Sequence, residues 1–135
     1  MTTGVTPAPG DESSDRTWGP ELDELRSRGV LAENMGGEEK VQRQHDRGKL
    51  DVRQRIEALL DAGSFHEIGK IAGSPTYDEN GDLVDLRAAN FLFGRGLIDG
   101  RTVVVAADDF TVRGGAADAA IVGKQIAAEQ MAGEL

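Results

Sequence analysis

The run Asp109-Phe110-Thr111-Val112-Arg113-Gly114-Gly115-Ala116 holds the residues best suited to chemistry. It follows the apolar segment Val103 to Ala107 and precedes an Ala-rich stretch of helical character. A strand feeding a double glycine at a helix start brings backbone N–H groups close to an acyl or phosphate oxygen. Arg113 adds a guanidinium, which pairs well with phosphate or carboxylate. The structural alternative makes Arg113 a surface residue and Gly114-Gly115 a tight turn with close helix packing. A cation at a helix N-terminus is electrostatically misplaced, which weighs toward a ligand role. Arg113, Gly114, Gly115 and Ala116 are therefore the candidate binding residues.

Other titratable groups point elsewhere. Asp108 and Asp109 form a carboxylate pair of the kind used in acid–base work, but capping or loop bonding explains them more simply. His45 and His66 lack metal-ligand spacing, so no metal site is expected. Arg53 and Arg55 are expected to anchor a helix to neighbouring carboxylates. Gly94-Arg95-Gly96 is too short for a phosphate loop. No catalytic residue is assigned.

The elements that position this run are legible in part. Residues 1–19 read as a flexible tail of Pro, Gly, Ser, Thr and Asp, with Trp18 making a satellite contact. Pro20 starts a helix through Glu21 to Arg26, with Gly29 just after it. A polar helix covers Glu38 to Arg47, either lying across a larger body or holding subunits together. Asp51 to Ala62 is the clearest helix, with Asp51 and Gln54 in a capping box. Val52, Ile56, Leu59 and Leu60 form its apolar face, and Gly63 stops it. Residues 69–89 read as an irregular connection with a turn at Asp78 to Gly81. Phe91 to Ile98 and Arg101 to Val105 form a hairpin around Asp99-Gly100. The second strand, apolar on both faces, is expected inside a sheet. A final helix runs from Gly115 to the chain end, packing through Ala119, Val122, Ile126 and Ala127 and leaving Asp118, Lys124 and Glu129 wet. Two strands are marginal alone, so the chain is expected to be a fragment or to need another chain.

Composition narrows the classes. The formal charge is −9, from 24 acidic and 15 basic residues, which argues against general nucleic-acid binding. No segment suits a bilayer span, so no membrane partner is expected. Without cysteines there is no disulfide framework, and a cytoplasmic location is the default.

Two segments resemble the carboxyltransferase (beta) subunits of biotin-dependent acyl-CoA carboxylases, the propionyl-CoA carboxylase type above all. One runs from Gly48-Lys49-Leu50 through Arg53-Gln54-Arg55-Ile56 and Leu59-Leu60-Asp61 to Gly63-Ser64-Phe65. The other runs from Gly96 to Val105 and then Asp109-Phe110-Thr111-Val112-Arg113-Gly114-Gly115. Together they cover roughly residues 46–130. The resemblance implies an α/β fold: a partial crotonase-like (ClpP-like) β-β-α superhelix preceded by N-terminal helices. It divides the chain into a tail (1–19), a helical segment (20–62) and an incomplete carboxyltransferase N-domain (63–135). It implies transfer of a carboxyl group from carboxybiotin to the α-carbon of an acyl-CoA, with Arg113 to Ala116 facing the acyl-CoA. It implies biotin carried by a partner, a biotin carboxylase/biotin carrier subunit, and a homo-oligomer of the full subunit. In the family, the glycine-rich segments that hold the oxyanions lie beyond the double-glycine loop, so the isolated chain is expected to be inactive. Related decarboxylases or transcarboxylases, and a non-catalytic binding or assembly module, are the alternatives.

Overall fold

The structure, a computed structural model, describes residues 17–116 and 121–135. The expected tail up to residue 16 and the positions Asp118 and Ala119 lie outside them. The elements are α1 (Gly19–Glu33), α2 (Glu38–Asp46), α3 (Val52–Leu59), β1 (His66–Ile68), β2 (Gly73–Tyr77), β3 (Leu83–Ala88), β4 (Phe91–Ile98), β5 (Arg101–Asp108) and α4 (Val122–Glu134).

The expected hairpin is β4–β5. Its turn residues Asp99 and Gly100 have φ of 50° and 77°, the positive values that a two-residue hairpin turn demands. Pairing then runs unbroken from Ile98 opposite Arg101 to Phe91 opposite Asp108. β1 joins the other side of β4, giving the order β1-β4-β5. β5 is thus an edge strand among the described residues, not the interior strand expected. Its valines cover both faces because helices lie on both. Val103 and Val105 meet the α3 side with Val52, Ile56 and Leu60. Val104 meets the α4 side with Phe91, Phe93, Ile121 and Ala128.

The glycines of the interior strand mark the closest approaches. A Cβ on Gly94 would sit 2.1 Å from the His66 carbonyl oxygen, and one on Gly96 would strike Leu60. Bare backbone at these two positions lets β1 pair and α3 settle onto the sheet.

α3 begins as expected, with both halves of the Asp51–Gln54 capping box formed. It ends earlier, because Leu60 turns extended to reach the core while Leu59 faces out. Asp61 then holds the hairpin turn. Its carboxylate accepts from the Asp99 and Gly100 N–H groups at 2.9 and 2.8 Å, and its own N–H donates to the Leu97 carbonyl. Charge-assisted bonds to exposed amides are worth about 1–2 kcal/mol together. Asp61→Ala is expected to lower stability by that much in a denaturant titration, and Asp61→Asn by less.

Three expectations change. α1 runs through Gly29 to Glu33, because Leu31 and Ala32 pack on Leu86 and Ala88 of β3; one helical glycine costs only about 1 kcal/mol against that burial. Trp18 stands largely exposed at the start of α1 and belongs to none of the buried clusters. Residues 69–89 hold a second antiparallel sheet, β2–β3, whose turn is closed by Asp78 accepting from the Asn80 and Asp82 N–H groups.

α4 starts at Val122, after a 3-10 turn at Arg113–Gly115. Ala128 is its buried residue, next to the N-cap Ile121, and Ala127 packs on the same cluster as expected, whereas Val122 and Ile126 are exposed. The packed face is about one residue from the expected one, since alanine is spread too evenly along the helix to mark a side. Lys124 is half-buried rather than wet. Burial holds its ammonium pKa below the usual lysine range, with Glu67 opposing that shift.

Candidate functional site: a basic cleft at the double-glycine loop

The loop after β5 is fixed from below by buried polar groups. Asp109 is 1% exposed. Its Oδ1 accepts from the Thr111 N–H at 2.9 Å and the Thr111 hydroxyl at 2.6 Å. The Thr111 Oγ1 in turn accepts from the Gly36 N–H at 2.9 Å, which ties the α1–α2 connection to the loop. Asp109 is therefore a loop-bonding residue. Asp108 offers its backbone carbonyl to Arg55 at 2.9 Å.

Asn90, just before β4, holds the other side. Its backbone carbonyl accepts from the Asp109 N–H. Its side-chain Nδ2 donates to the Val112 carbonyl at 3.3 Å and the Ala116 carbonyl at 2.7 Å. Between those carbonyls Arg113, Gly114 and Gly115 have φ of 51°, 61° and 75°. The left-handed region costs an L-residue about 1–2 kcal/mol, so Arg113 stays there because both ends of its turn are held. The Gly115 and Ala116 N–H groups close the turn on the Val112 and Arg113 carbonyls. Those two amides are thus engaged inside the loop.

Around this loop the surface is concave and positively charged. Lys40 and Arg43 on α2 and Arg47 at its C-terminal cap meet Phe110, Arg113 and Gly114 across a cleft of about 260 Å³. A larger cleft of about 500 Å³ lies between the α1–α2 connection and β3, with Leu31, Met35, Leu86 and Val112 among its lining residues. Arg113 borders both clefts. The cluster is a local concentration of cations in a chain of net charge −9.

The four expected binding residues thus sit on one loop, with Arg113 and Gly114 facing the basic cleft. The sequence reading missed Lys40, Arg43, Arg47 and Asn90. The first three recur at i, i+3 and i+7 along a helix and its C-terminal cap, a spacing that places them on one side. Arg53 anchors α3 as expected, bidentate to Glu67 at 2.8 and 3.2 Å. His45 bonds the Asp51 carboxylate at 2.9 Å. Among the described residues no cluster of three metal-ligating side chains forms, and no helix is long and apolar enough to cross a membrane.

Comparison with known proteins agrees with this architecture. The family model described as the carboxyl transferase domain matches residues 43–134. The propionyl-CoA carboxylase carboxyltransferase subunit of Haloferax mediterranei is 39% identical over 94 residues, which cover 70% of this chain and 18% of that protein. The propionyl-CoA carboxylase beta chain of Cereibacter sphaeroides is 44% identical over 96 residues, again 70% of this chain and 18% of that one. A crystal structure of transcarboxylase 12S, described as a hexamer with methylmalonyl-coenzyme A bound, superposes with a TM-score of 0.70 at 34% identity. That match covers 85% of this chain and 22% of the other. The chain therefore spans about a fifth of the length of its relatives, and its α/β arrangement is the crotonase-like one expected from the motifs. With more than half of its residues matched by the family model, the chain belongs to the carboxyl transferase domain family.

Proposed function

We propose that this chain is the N-terminal part of an acyl-CoA carboxyltransferase and supplies one wall of its acyl-CoA site. The full subunit would move a carboxyl group from carboxybiotin to the α-carbon of a propionyl-CoA-like thioester, with biotin carried by a biotin carboxylase/biotin carrier partner. The observation that carries the reading is the convergence of Lys40, Arg43 and Arg47 on Arg113 and Gly114. Coenzyme A ends in a pyrophosphate and a ribose phosphate, and such a cluster neutralises them. Its uncharged arm would then lie along the larger cleft, against Leu31, Met35 and Val112.

These residues bind and orient. The Gly115 and Ala116 amides are engaged within the turn, so they are not assigned as oxyanion donors. No step through biotin is assigned to them. Enolate stabilisation needs preorganised donors aimed at the developing charge, and none is assigned to this loop.

Calorimetry on the full chain tests the reading. Propionyl-CoA is expected to bind at least about 10-fold more tightly than propionyl-pantetheine, which lacks the phosphates, since each unscreened cation–phosphate contact contributes about 1 kcal/mol. Equal affinities for the two, or no binding of either, would overturn it.

A further inference from the structure

α2 carries Lys40 and Arg43 and ends at Arg47, yet it has no buried residue of its own to hold it down. Val41, Gln44 and His45 are half-buried, and its other residues are exposed. Two of its side-chain hydrogen bonds, Gln42 to Asp46 and Arg43 to Glu39, stay within the helix. Among the described residues, the side-chain bond that ties α2 to another element joins His45 Nε2 to Asp51 Oδ2 at 2.9 Å. A row of cations binds an anion well only if it is held in place before the anion arrives, so the anchoring of α2 bears on the site.

Asp51 is a firm anchor. It is 5% exposed and precedes α3, whose Val52 and Ile56 lie in the core. Its two carboxylate oxygens have different partners. Oδ1 accepts from the Gln54 N–H and caps α3, while Oδ2 takes the bond from His45. A carboxylate only accepts, so the proton of that bond is on Nε2. The chain between the two residues is closed as well. Gly48, with φ of 70°, donates to the His45 carbonyl at 2.8 Å, and Lys49 donates to the Gln44 carbonyl at 3.1 Å. These are the two bonds of a glycine-terminated helix end. Arg47 lies inside this closed turn, two residues after His45, and Arg43 lies two residues before it. The approach to the other end of α2 is held by the Gly36 N–H on the Thr111 hydroxyl.

We propose that His45 is a positioning residue for anion binding at the basic cleft. By joining the C-terminal end of α2 to the capping carboxylate of α3, it holds Arg43 and Arg47 toward the Arg113 turn. One carboxylate thus fixes both the start of the core helix and the end of the cation-bearing one. This inference rests on the acyl-CoA reading above and adds the residue that keeps the phosphate-binding cations in place.

The test is calorimetry with propionyl-CoA on the full chain, at low and at high salt. His45→Ala and His45→Phe are expected to lose roughly 5- to 30-fold in affinity at low salt, because part of the cation–phosphate attraction goes with the placement of Arg43 and Arg47. At high salt, where that attraction is screened, the loss is expected to fall below about 2-fold. The phenylalanine variant keeps a ring in the half-buried place and serves if the alanine variant fails to fold. His45→Gln, whose side-chain N–H can replace that of Nε2, is expected to bind within about 2-fold of the parent. A merely structural histidine would lower the unfolding midpoint and leave the salt dependence of binding as it is in the parent. Unchanged affinity in the alanine and phenylalanine variants would overturn the proposal and leave the acyl-CoA reading standing. So would a loss of the same size at both salt concentrations, or a glutamine variant as weak as the alanine one. Failure of propionyl-CoA to bind the unmodified chain would overturn both.

Discussion

Gly36→Ala is expected to destabilise the chain by about 3 kcal/mol or more and to abolish binding at the double-glycine loop. A Cβ at this position would lie 1.9 Å from the Thr111 carbonyl oxygen and 2.4 Å from its carbon. Both are backbone atoms, so no side-chain rotation relieves the clash. The connection between α1 and α2 must lift away from the loop by more than an ångström. Overpacking of this kind costs about 1–3 kcal/mol. Lifting the connection also breaks the Gly36 N–H bond to the Thr111 hydroxyl, which adds about 1–2 kcal/mol. Thr111 then loses one side of the chain that runs from Gly36 through its Oγ1 to the buried Asp109. Gly29→Ala is the control. A Cβ there meets nothing within 4 Å, and Gly29 lies inside α1, so the variant is expected to gain about 0.5–1 kcal/mol. Urea unfolding of the three chains decides the matter. A Gly36→Ala variant as stable as the parent would show that the two connections are not in contact.

What could be read from the sequence follows from how local each signal is. The Asp51–Gln54 capping box and the Asp99-Gly100 turn are set by residues a few positions apart, and both form where expected. The double-glycine loop was found for the same reason. β2 and β3 were missed because β2 contains Pro75 and is exposed throughout, which removes the alternation that marks a strand. Only β3, with Leu86 and Ala88 buried against α1, carries it. Part of the buried side of α4 was misplaced because its packing uses alanine, whose small side chain leaves little periodic signal. Asn90 was invisible for a different reason. Its importance comes from two carbonyls 22 and 26 residues away, and no local pattern reports such a contact.

The basic side of α2 shows how a weak local signal gains meaning from the fold. α2 has no buried residue, so its cations are not there to support a core. Arg43 pairs with Glu39, but both side chains are more than half exposed, and such a pair contributes at most a few tenths of a kcal/mol. Replacing Lys40, Arg43 and Arg47 together by glutamine should therefore change stability by less than about 1 kcal/mol. The effect on propionyl-CoA binding should be far larger. At about 5 Å in water-like surroundings each cation–phosphate pair contributes roughly 0.8 kcal/mol. Three such pairs give about 2–2.5 kcal/mol, or a loss of roughly 30- to 70-fold in affinity. Screening is strong at separations beyond about 8 Å in physiological salt, so the loss should shrink as salt is raised. Propionyl-pantetheine, with no phosphates, should bind the variant and the parent alike. Calorimetry at two salt concentrations tests each point. An equal loss for both ligands would mean that α2 supports the loop mechanically. An unchanged affinity for propionyl-CoA would place its phosphates away from α2 altogether.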